Sequence, residues 1–501
     1  VDGVIAVDVG TQSLRANLYN IEGHLLWSSQ KAYETKFSAP GWAEQNPNDW
    51  WKALCSSIRE IIKAYPQILV KAIAIDATSS TVLAVDSNGE PLTNAILWMD
   101  IRASEQAEKI NATNHPVLSW CGKQVSPEWF LPKLLWIKEH LPEIYRNAYL
   151  IVEALDWLNY KLTGRWVASQ CNASCKWNYL PGDGWSTDFL EAIGVPELVE
   201  KVPSTTLSVG SIIGNLKKEV AYDIGCGGDV LVIQGGIDAH ISTIGLGNFE
   251  EGEASLILGS SSVLLVNTKT QKTLEGFWGP YKDPLYKGLN LIEGGQTSSG
   301  SIIDWFIKKV AKHYVIQTTA KLKPYEWLDI EASKISPGSE GLVVLDHWQG
   351  NRTPYKDPYS RGIIWGLSLN HGAPHIGRAI YEGIAFGIRL LFDRLEKAGI
   401  SIKKLKVCGG GTKSKLWLQI LSDICERAMW ATQENASLLG GAILAAKGAS
   451  LFSSITEAFT VMHPELKMIE PTNSFSKYLE NYELYQKLYT VTKPLRRYKG
   501  E

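Results

Sequence analysis

The sequence carries almost no charge imbalance: Lys plus Arg is 50 and Asp plus Glu is 52, a net charge of −2. A chain without a broad field of one sign has no electrostatic footprint for a polyanion or an anionic membrane surface, so a nucleic-acid partner is disfavoured. Long apolar runs are missing too. The longest, such as Leu342–Leu345 and Ala442–Ala446, fall far short of the ~20 residues a spanning helix needs, and no membrane partner is expected. No charged leader with an apolar core precedes Val4. Because the first residue is Val1 rather than Met, a removed organellar targeting segment stays open beside the expected cytoplasmic location. Evenly paired cysteines are lacking: the seven (Cys55, Cys121, Cys171, Cys175, Cys226, Cys408 and Cys425) are odd in number and scattered, which argues against a disulfide framework and for reduced thiols inside a cell. Cys171 and Cys175 have no second Cys or His pair at zinc-ligand spacing and read as packing residues. A Walker A pattern is absent, so a bound nucleotide must rest on something other than a P-loop.

What is present is a long chain, 501 residues with 45% apolar content, where single domains run to ~100–250 residues. Two substantial domains are therefore expected. The N-terminus alternates β-rich runs with turn residues: Val4–Val9, Gly10-Thr11, Leu14–Tyr19, Glu22-Gly23, His24–Ala32, a three-stranded antiparallel meander. From Asn46 the period becomes helical, with Trp51, Leu54, Ile58, Ile61 and Ile62 on one face and Pro47 near the start. A buried strand, Val70–Ile75, follows and ends at Asp76-Ala77-Thr78-Ser79. This βββαβ order is that of the actin-like (ribonuclease H-like) fold. Ligands of open α/β sheets gather beyond the carboxyl ends of strands, which predicts that Asp8 and Asp76 lie close together there. From about residue 246 the scheme repeats: Ala254–Leu258, Gly259-Ser260-Ser261-Ser262, Val263–Val266, and later Leu405–Cys408, Gly409-Gly410-Gly411 and a helix over Lys415–Arg427. The fold class is thus α/β, two actin-like domains with a cleft between them. The domains are 1–247 and 248–501, with boundary and hinge in the Gly-rich run Gly245–Gly252.

Each motif has a plain alternative. Asp8-Val9-Gly10-Thr11-Gln12-Ser13 offers a carboxylate for a hydrated Mg²⁺ and backbone N–H groups that glycine leaves open to a phosphate; it is also an ordinary hairpin tip. Its duplication at Gly259-Ser260-Ser261 favours phosphate. Asp238, in Gly235-Gly236-Ile237-Asp238-Ala239-His240 after the buried run Val230–Ile233, is placed to accept a proton from an attacking hydroxyl, or else to cap the next segment. His240 reads as a packing residue. Gly409-Gly410-Gly411 before a helix suits a nucleotide, although glycines also merely turn the chain. Trp98-Met99-Asp100-Ile101-Arg102 combines an aromatic face, a carboxylate and a guanidinium, a mix fit for a polyol, or a surface salt bridge beside a core Trp.

Taken together, Asp8–Ser13, Trp98–Arg102, Gly236–His240, Gly259–Ser262, Gly294–Trp305, Arg352–Gly366, Arg378–Gly383 and Cys408–Asp423 resemble, in order and spacing, the FGGY carbohydrate kinases, from residue 4 to about 450. Within that family Asn111–Leu141 (with Ser126-Pro127-Glu128 and Pro132-Lys133-Leu134-Leu135-Trp136), Cys171–Trp177 and Gly276–Pro280 are similar to the D-ribulokinase branch. The resemblance implies ATP and Mg²⁺ as cofactors and a small sugar as partner. It implies Asp238 as catalytic base, Asp8 as the carboxylate near Mg²⁺, and Thr11, Gln12 and Ser13 as the phosphate-facing turn. Gly259, Ser260, Gly300, Gly410, Gly411 and Ser414 match ATP-contacting positions. Thr78, Ser79, Trp98, Glu128 and Lys176 fall where relatives hold the sugar, with Asp100, Arg102 and Asp238 beside them. Two departures stand out: Gly259-Ser260-Ser261 replaces the usual Gly-Thr-Ser, and Thr78-Ser79-Ser80 replaces the branch's common Thr-Cys-Ser.

The expected reaction is transfer of the ATP γ-phosphoryl group to a primary hydroxyl of a ketopentose, D-ribulose giving D-ribulose 5-phosphate. Xylulokinase or pentitol kinase activity is the alternative within the family. A nucleotide-dependent binding protein of the actin or chaperone type is the alternative outside it, and a sugar-binding pseudokinase is a third. Monomer and homodimer are both left open.

Overall fold

The computed structural model describes residues 2–227, 229–314 and 322–497; Val1 and residues 498–501, the outer ends of the two expected domains, lie outside them. The meander forms as its period requires, as strands Asp2–Val9, Ser13–Asn20 and Leu25–Ala32, and the helix Pro47–Ala64 returns the chain to the strand Leu69–Ala77. Asn46 caps this helix by accepting from the Asn48 N–H, and Pro47 occupies the first turn, where its missing N–H leaves nothing unpaired. Trp50, not Trp51, takes the buried place: it stands one turn before Leu54, and its indole N–H donates to Gln45 Oε1 at 2.8 Å.

The first sheet runs, in spatial order, Ile212–Asn215, Leu231–Ile233, Leu69–Ala77, Asp2–Val9, Ser13–Asn20, Leu25–Ala32. Asp2–Val9 is antiparallel to Ser13–Asn20 and parallel to Leu69–Ala77. The second sheet repeats that plan, with Glu253–Leu258 antiparallel to Ser262–Thr268 and parallel to Lys404–Cys408. It also carries a long hairpin, Trp278–Tyr286 and Leu289–Gln296, that the strand pattern did not resolve. A smaller sheet orders Glu44–Gln45, Ala95–Ile96, Val82–Val85 and Leu150–Glu153. The architecture is a two-domain, actin-like (ribonuclease H-like) α/β fold. No helix among the described residues is long and apolar enough to cross a membrane.

The halves interlock on both sides of the run Gly245–Gly252. The hairpin of the second sheet lies over the segments Pro116–Cys121 and Gln170–Lys176 of the first half, where Gln170 donates to the Asp283 carbonyl at 2.9 Å. In the other direction the helix Ala436–Gly448 packs on Asp2–Val9, on Leu69–Ala77 and along the helix Asp238–Gly245. These two helices touch backbone to backbone, since a Cβ on Gly245 would stand 1.9 Å from the Ala436 carbonyl oxygen. No side chain yields there, so Gly245→Ala must separate the helices. We expect it to lower Tm by roughly 3–10 °C, an overpacking penalty at a backbone contact; an unchanged melting curve would remove this contact as a determinant of the domain junction.

Candidate active site

Between the halves lies a cavity of about 810 Å³. Both hairpin turns reach it, through Asp8 and Thr11 from one half and Gly259 and Ser261 from the other. Gly410 lines the same wall, while Thr78, Ser79, Trp98, Glu128, Lys176 and Asp238 line the first-half side. Asp8 and Asp76 are register partners on adjacent parallel strands, as the strand ends predicted. Trp98 joins the two groups of residues, since its indole N–H donates to Thr11 Oγ1 at 2.9 Å.

Asp238 opens the helix Asp238–Gly245 as its first residue, after the cap position Ile237, so the capping alternative is not what the chain does. Its Oδ1 accepts from the Ala239 N–H at 2.7 Å. The approach to it is built on Gly235, where a Cβ would lie 1.9 Å from the Ile75 carbonyl oxygen. Burial raises the Asp238 carboxyl above its ordinary range, as does the charge of Glu293, against the Ala239 hydrogen bond. Burial also raises Asp8, to about 7, reinforced by the charge of Asp238 and opposed by Arg15; Asp76 is pushed well up by burial and then by Asp8 and Asp238. Three carboxyl groups crowd one corner of the cavity, where Asp8 and Asp76 are close enough to share a proton and Asp8 Oδ1 and Asp76 Oδ2 are buried with no other group to bond. That corner suits a cation. Among the described residues no three His, Cys, Asp or Glu side chains close into a direct coordination shell, so the residues present fit a Mg²⁺ that keeps most of its water and is held from one side by Asp8.

The sugar side is more elaborate than its motifs suggested. Lys176 Nζ donates to Glu293 Oε2 at 2.8 Å and to the Tyr281 hydroxyl at 2.9 Å, joining the first half to the hairpin. Burial works to raise the Glu293 carboxyl, but Lys176 and then His240 outweigh it and hold the group down at about 2. Trp129 and Trp278, one from each half, approach with ring centroids 4.9 Å apart and line the same cavity. Ser79 leans on Glu153 at 3.4 Å, which also accepts from Asn172 and Trp177 at 2.8 and 2.6 Å. Beneath this turn the buried Lys133 donates to the carbonyls of Ser80 and Leu97 at 2.8 and 2.6 Å, and burial brings its ammonium down to about 7. His240 is buried, which lowers it to about 4; it stands 3.6 Å from Cys175 Sγ and 4.0 Å from Glu293, on the cavity wall and not only in packing as expected.

Several expected residues stand elsewhere. Asp100 and Arg102 do not reach the cavity: Arg102 pairs with Asp100 at 2.7 Å and with Glu44 at 2.8 Å, lies 3.8 Å over the Trp42 ring, and is buried. The salt-bridge alternative describes this pair, inside the protein rather than on its surface, while Trp98 leaves the core for the cavity wall. Ser13 is buried, its Oγ accepting from Gln30 at 2.8 Å, and Gln12 points to solvent. Ser260 accepts from the Ser299 and Ser301 N–H groups at 2.8 and 3.1 Å, and the Gly300 N–H donates to Gly259 at 3.0 Å; these clip the second turn from behind. Gly411 backs onto Trp417, and Ser414 caps the helix Lys415–Cys425 while donating to Asp329 at 2.8 Å. Residues that the motifs missed include Arg15, Glu293 and Arg352, all on the cavity wall. Glu293 had a signal, a lone carboxylate in the buried strand Leu289–Gln296, as did Lys133 in the apolar run Phe130–Ile137. Arg352 had none.

Comparison with known proteins places the chain in a family. Residues 3–245 match the FGGY family of carbohydrate kinases, N-terminal domain, and residues 254–449 its C-terminal domain. An FGGY carbohydrate kinase domain-containing protein of Homo sapiens is 32% identical over 97% of this chain and 95% of its own length. A ribulokinase of Geobacillus thermodenitrificans is 30% identical over 99% of this chain and 94% of its own. The crystal structure of a "xyloylose kinase" from Brucella ovis superposes with a TM-score of 0.86 at 25% identity, covering 98% of this chain and 99% of that one. With both domain descriptions fitted in sequence along most of its length, the chain belongs to the FGGY family of carbohydrate kinases.

Proposed function

We propose that the protein transfers the γ-phosphoryl group of ATP to a primary hydroxyl of a ketopentose, D-ribulose first, giving D-ribulose 5-phosphate. The observation that carries this reading is the meeting of both turns and the carboxylates Asp8 and Asp238 in one cavity with Glu128, Lys176 and Glu293. Asp238 accepts the proton of the attacking hydroxyl, late in a loose transition state. Thr11 and Gly259 face the phosphates from opposite sides, where Gly259 lets the backbone come close. Asp8 holds Mg²⁺, which when bound supplies neutralisation of phosphate charge. Thr78, Ser79, Glu128 and Lys176 orient the sugar against Trp98. Asp100 and Arg102 serve it indirectly, as the buried pair that frames the Trp98 segment. Ser260, Gly300, Gly411 and Ser414 hold the shape of the nucleotide wall, with Gly410 at its surface. The hairpin seated over Gln170–Lys176 keeps water from competing as acceptor.

The ketopentose is supported by the relative named ribulokinase, which matches nearly the whole chain, and by a cavity that presents the Glu128 carboxylate and the Lys176 ammonium to a bound polyol. A site built to hydrogen-bond one hydroxyl leaves buried polar groups unpaired when an epimer turns it away. In a panel at equal concentration with Mg-ATP, D-ribulose should give the highest kcat/KM, ahead of D-xylulose, L-ribulose, ribitol and glycerol. Glu128→Gln should narrow the D-ribulose preference about tenfold, the worth of one hydrogen bond to a charged group. D-xylulose or a pentitol outpacing D-ribulose tenfold would refute the sugar assignment.

A further inference from the structure

Asp76 is a buried carboxyl to which the transfer chemistry above gives no task. It stands near the end of the strand Leu69–Ala77 beside its register partner Asp8, 1% exposed. Taking a carboxyl out of water next to like groups is unfavourable unless specific contacts offset it. Beside its contact with Asp8, it accepts a hydrogen bond from the other half of the chain: Ser437 Oγ donates to Asp76 Oδ1 at 3.1 Å. Ser437 is in the first turn of the helix Ala436–Gly448. Asn435 caps that turn by accepting from the Ser437 and Leu438 N–H groups at 3.1 Å each, and residues Asn435 to Leu438 all face the cavity. Further along the same helix Gly441 lies against the same strands: a Cβ there would stand 3.2 Å from Ala6 Cβ and in ordinary contact, 3.5 Å, with Asp76 Oδ2. The bond therefore ties the cavity-facing start of a helix from the second half to the strand that stands against Asp8.

We propose that Asp76 is a positioning residue for phosphoryl transfer: through Ser437 it keeps the cavity-facing turn of the helix Ala436–Gly448 in register with Asp8, so that the nucleotide wall and the cation-holding carboxylate stay at one separation. This rests on the reading of the cleft as a kinase site. The bond asks of Asp76 only an acceptor oxygen, which an amide also offers. A carboxylate that bound the cation itself would need its charge. The two roles part at Asp76→Asn.

The test is the affinity for Mg-ADP by titration calorimetry, together with kcat and the KM for ATP. Ser437→Ala and Asp76→Ala should each weaken Mg-ADP binding and raise the ATP KM about 5- to 30-fold, with kcat changed less than about threefold, as the loss of one buried hydrogen bond predicts. Asp76→Asn should stay within about threefold of the unsubstituted enzyme in both. The double variant Ser437→Ala/Asp76→Ala should bind Mg-ADP no more weakly than Asp76→Ala alone, because the second substitution finds the bond already gone. Asp76→Asn as impaired as Asp76→Ala, or single effects that add, would overturn the inference. Should Asp76→Ala fail to fold, Ser437→Ala with unchanged Mg-ADP affinity overturns it as well. If the variants show the non-additive pattern in Mg-ADP binding while the unsubstituted protein releases no ADP with any sugar, the kinase reading fails, and what survives is the positioning of the nucleotide wall by Asp76 without its link to transfer.

Discussion

Asp238→Asn is expected to reduce sugar phosphorylation about 10²- to 10⁴-fold, the usual worth of a general base, while sugar affinity changes little. The amide keeps the volume of the carboxylate at the first residue of the helix Asp238–Gly245 and can still accept from the Ala239 N–H. What it loses is the basicity of the carboxylate, which takes the hydroxyl proton. Burial raises the Asp238 carboxyl, and only its ionised form is a base, so activity should be full above that raised value and fall as pH drops through it. The acid limb of kcat/KM then lies above the ordinary carboxylate range and disappears in the variant. Steady-state rates with a coupled ADP assay and a sugar titration followed by Trp fluorescence measure both quantities. Turnover above half that of the unsubstituted enzyme would remove Asp238 from its role.

Asp8→Ala is expected to lower turnover by about 10²-fold or more with every sugar alike, since a bound cation supplies several kcal/mol of charge stabilisation without reading the acceptor. The geometry behind this is the corner in which the Asp8 carboxyl meets Asp76 and Asp238, with the cationic Arg15 opposing the rise that burial imposes on it. Removing the carboxylate also removes a like-charge repulsion, so the variant should melt no lower than the parent even as its Mg²⁺ requirement rises. Rates across the sugar panel at several Mg²⁺ concentrations, with Tm alongside, decide the matter. A change confined to sugar preference would place Asp8 in the sugar site instead.

Asp8, Thr11, Gly259, Gly410 and Asp238 were legible because each lies where local rules concentrate function, at a strand end or in a turn that interrupts a periodic pattern. Asp100 and Arg102 show the limit of such reasoning. A short stretch with Trp98 suggested one polyol surface, yet the pair turned inward because Glu44 and Trp42, far back in the sequence, complete its coordination. Glu293 and Arg352 reach the cavity only because a hairpin and a loop of the second half fold across to it. Nothing in their neighbours specifies that approach.

The sequence by itself determined the repeated strand, turn and helix order, the two-domain α/β class and the kinase family. All of these follow from periodicity, turn chemistry and motif spacing, which act over a few residues at a time. Tertiary structure alone decided which half supplies each wall of the cavity: the hairpin over Gln170–Lys176, the ion pair of Lys176 with Glu293, and the helix Ala436–Gly448 laid on the first sheet with Ser437 against Asp76. Those contacts join residues more than a hundred positions apart. Burial across the two halves sets them, between segments distant in sequence, and for that reason no local pattern announces them.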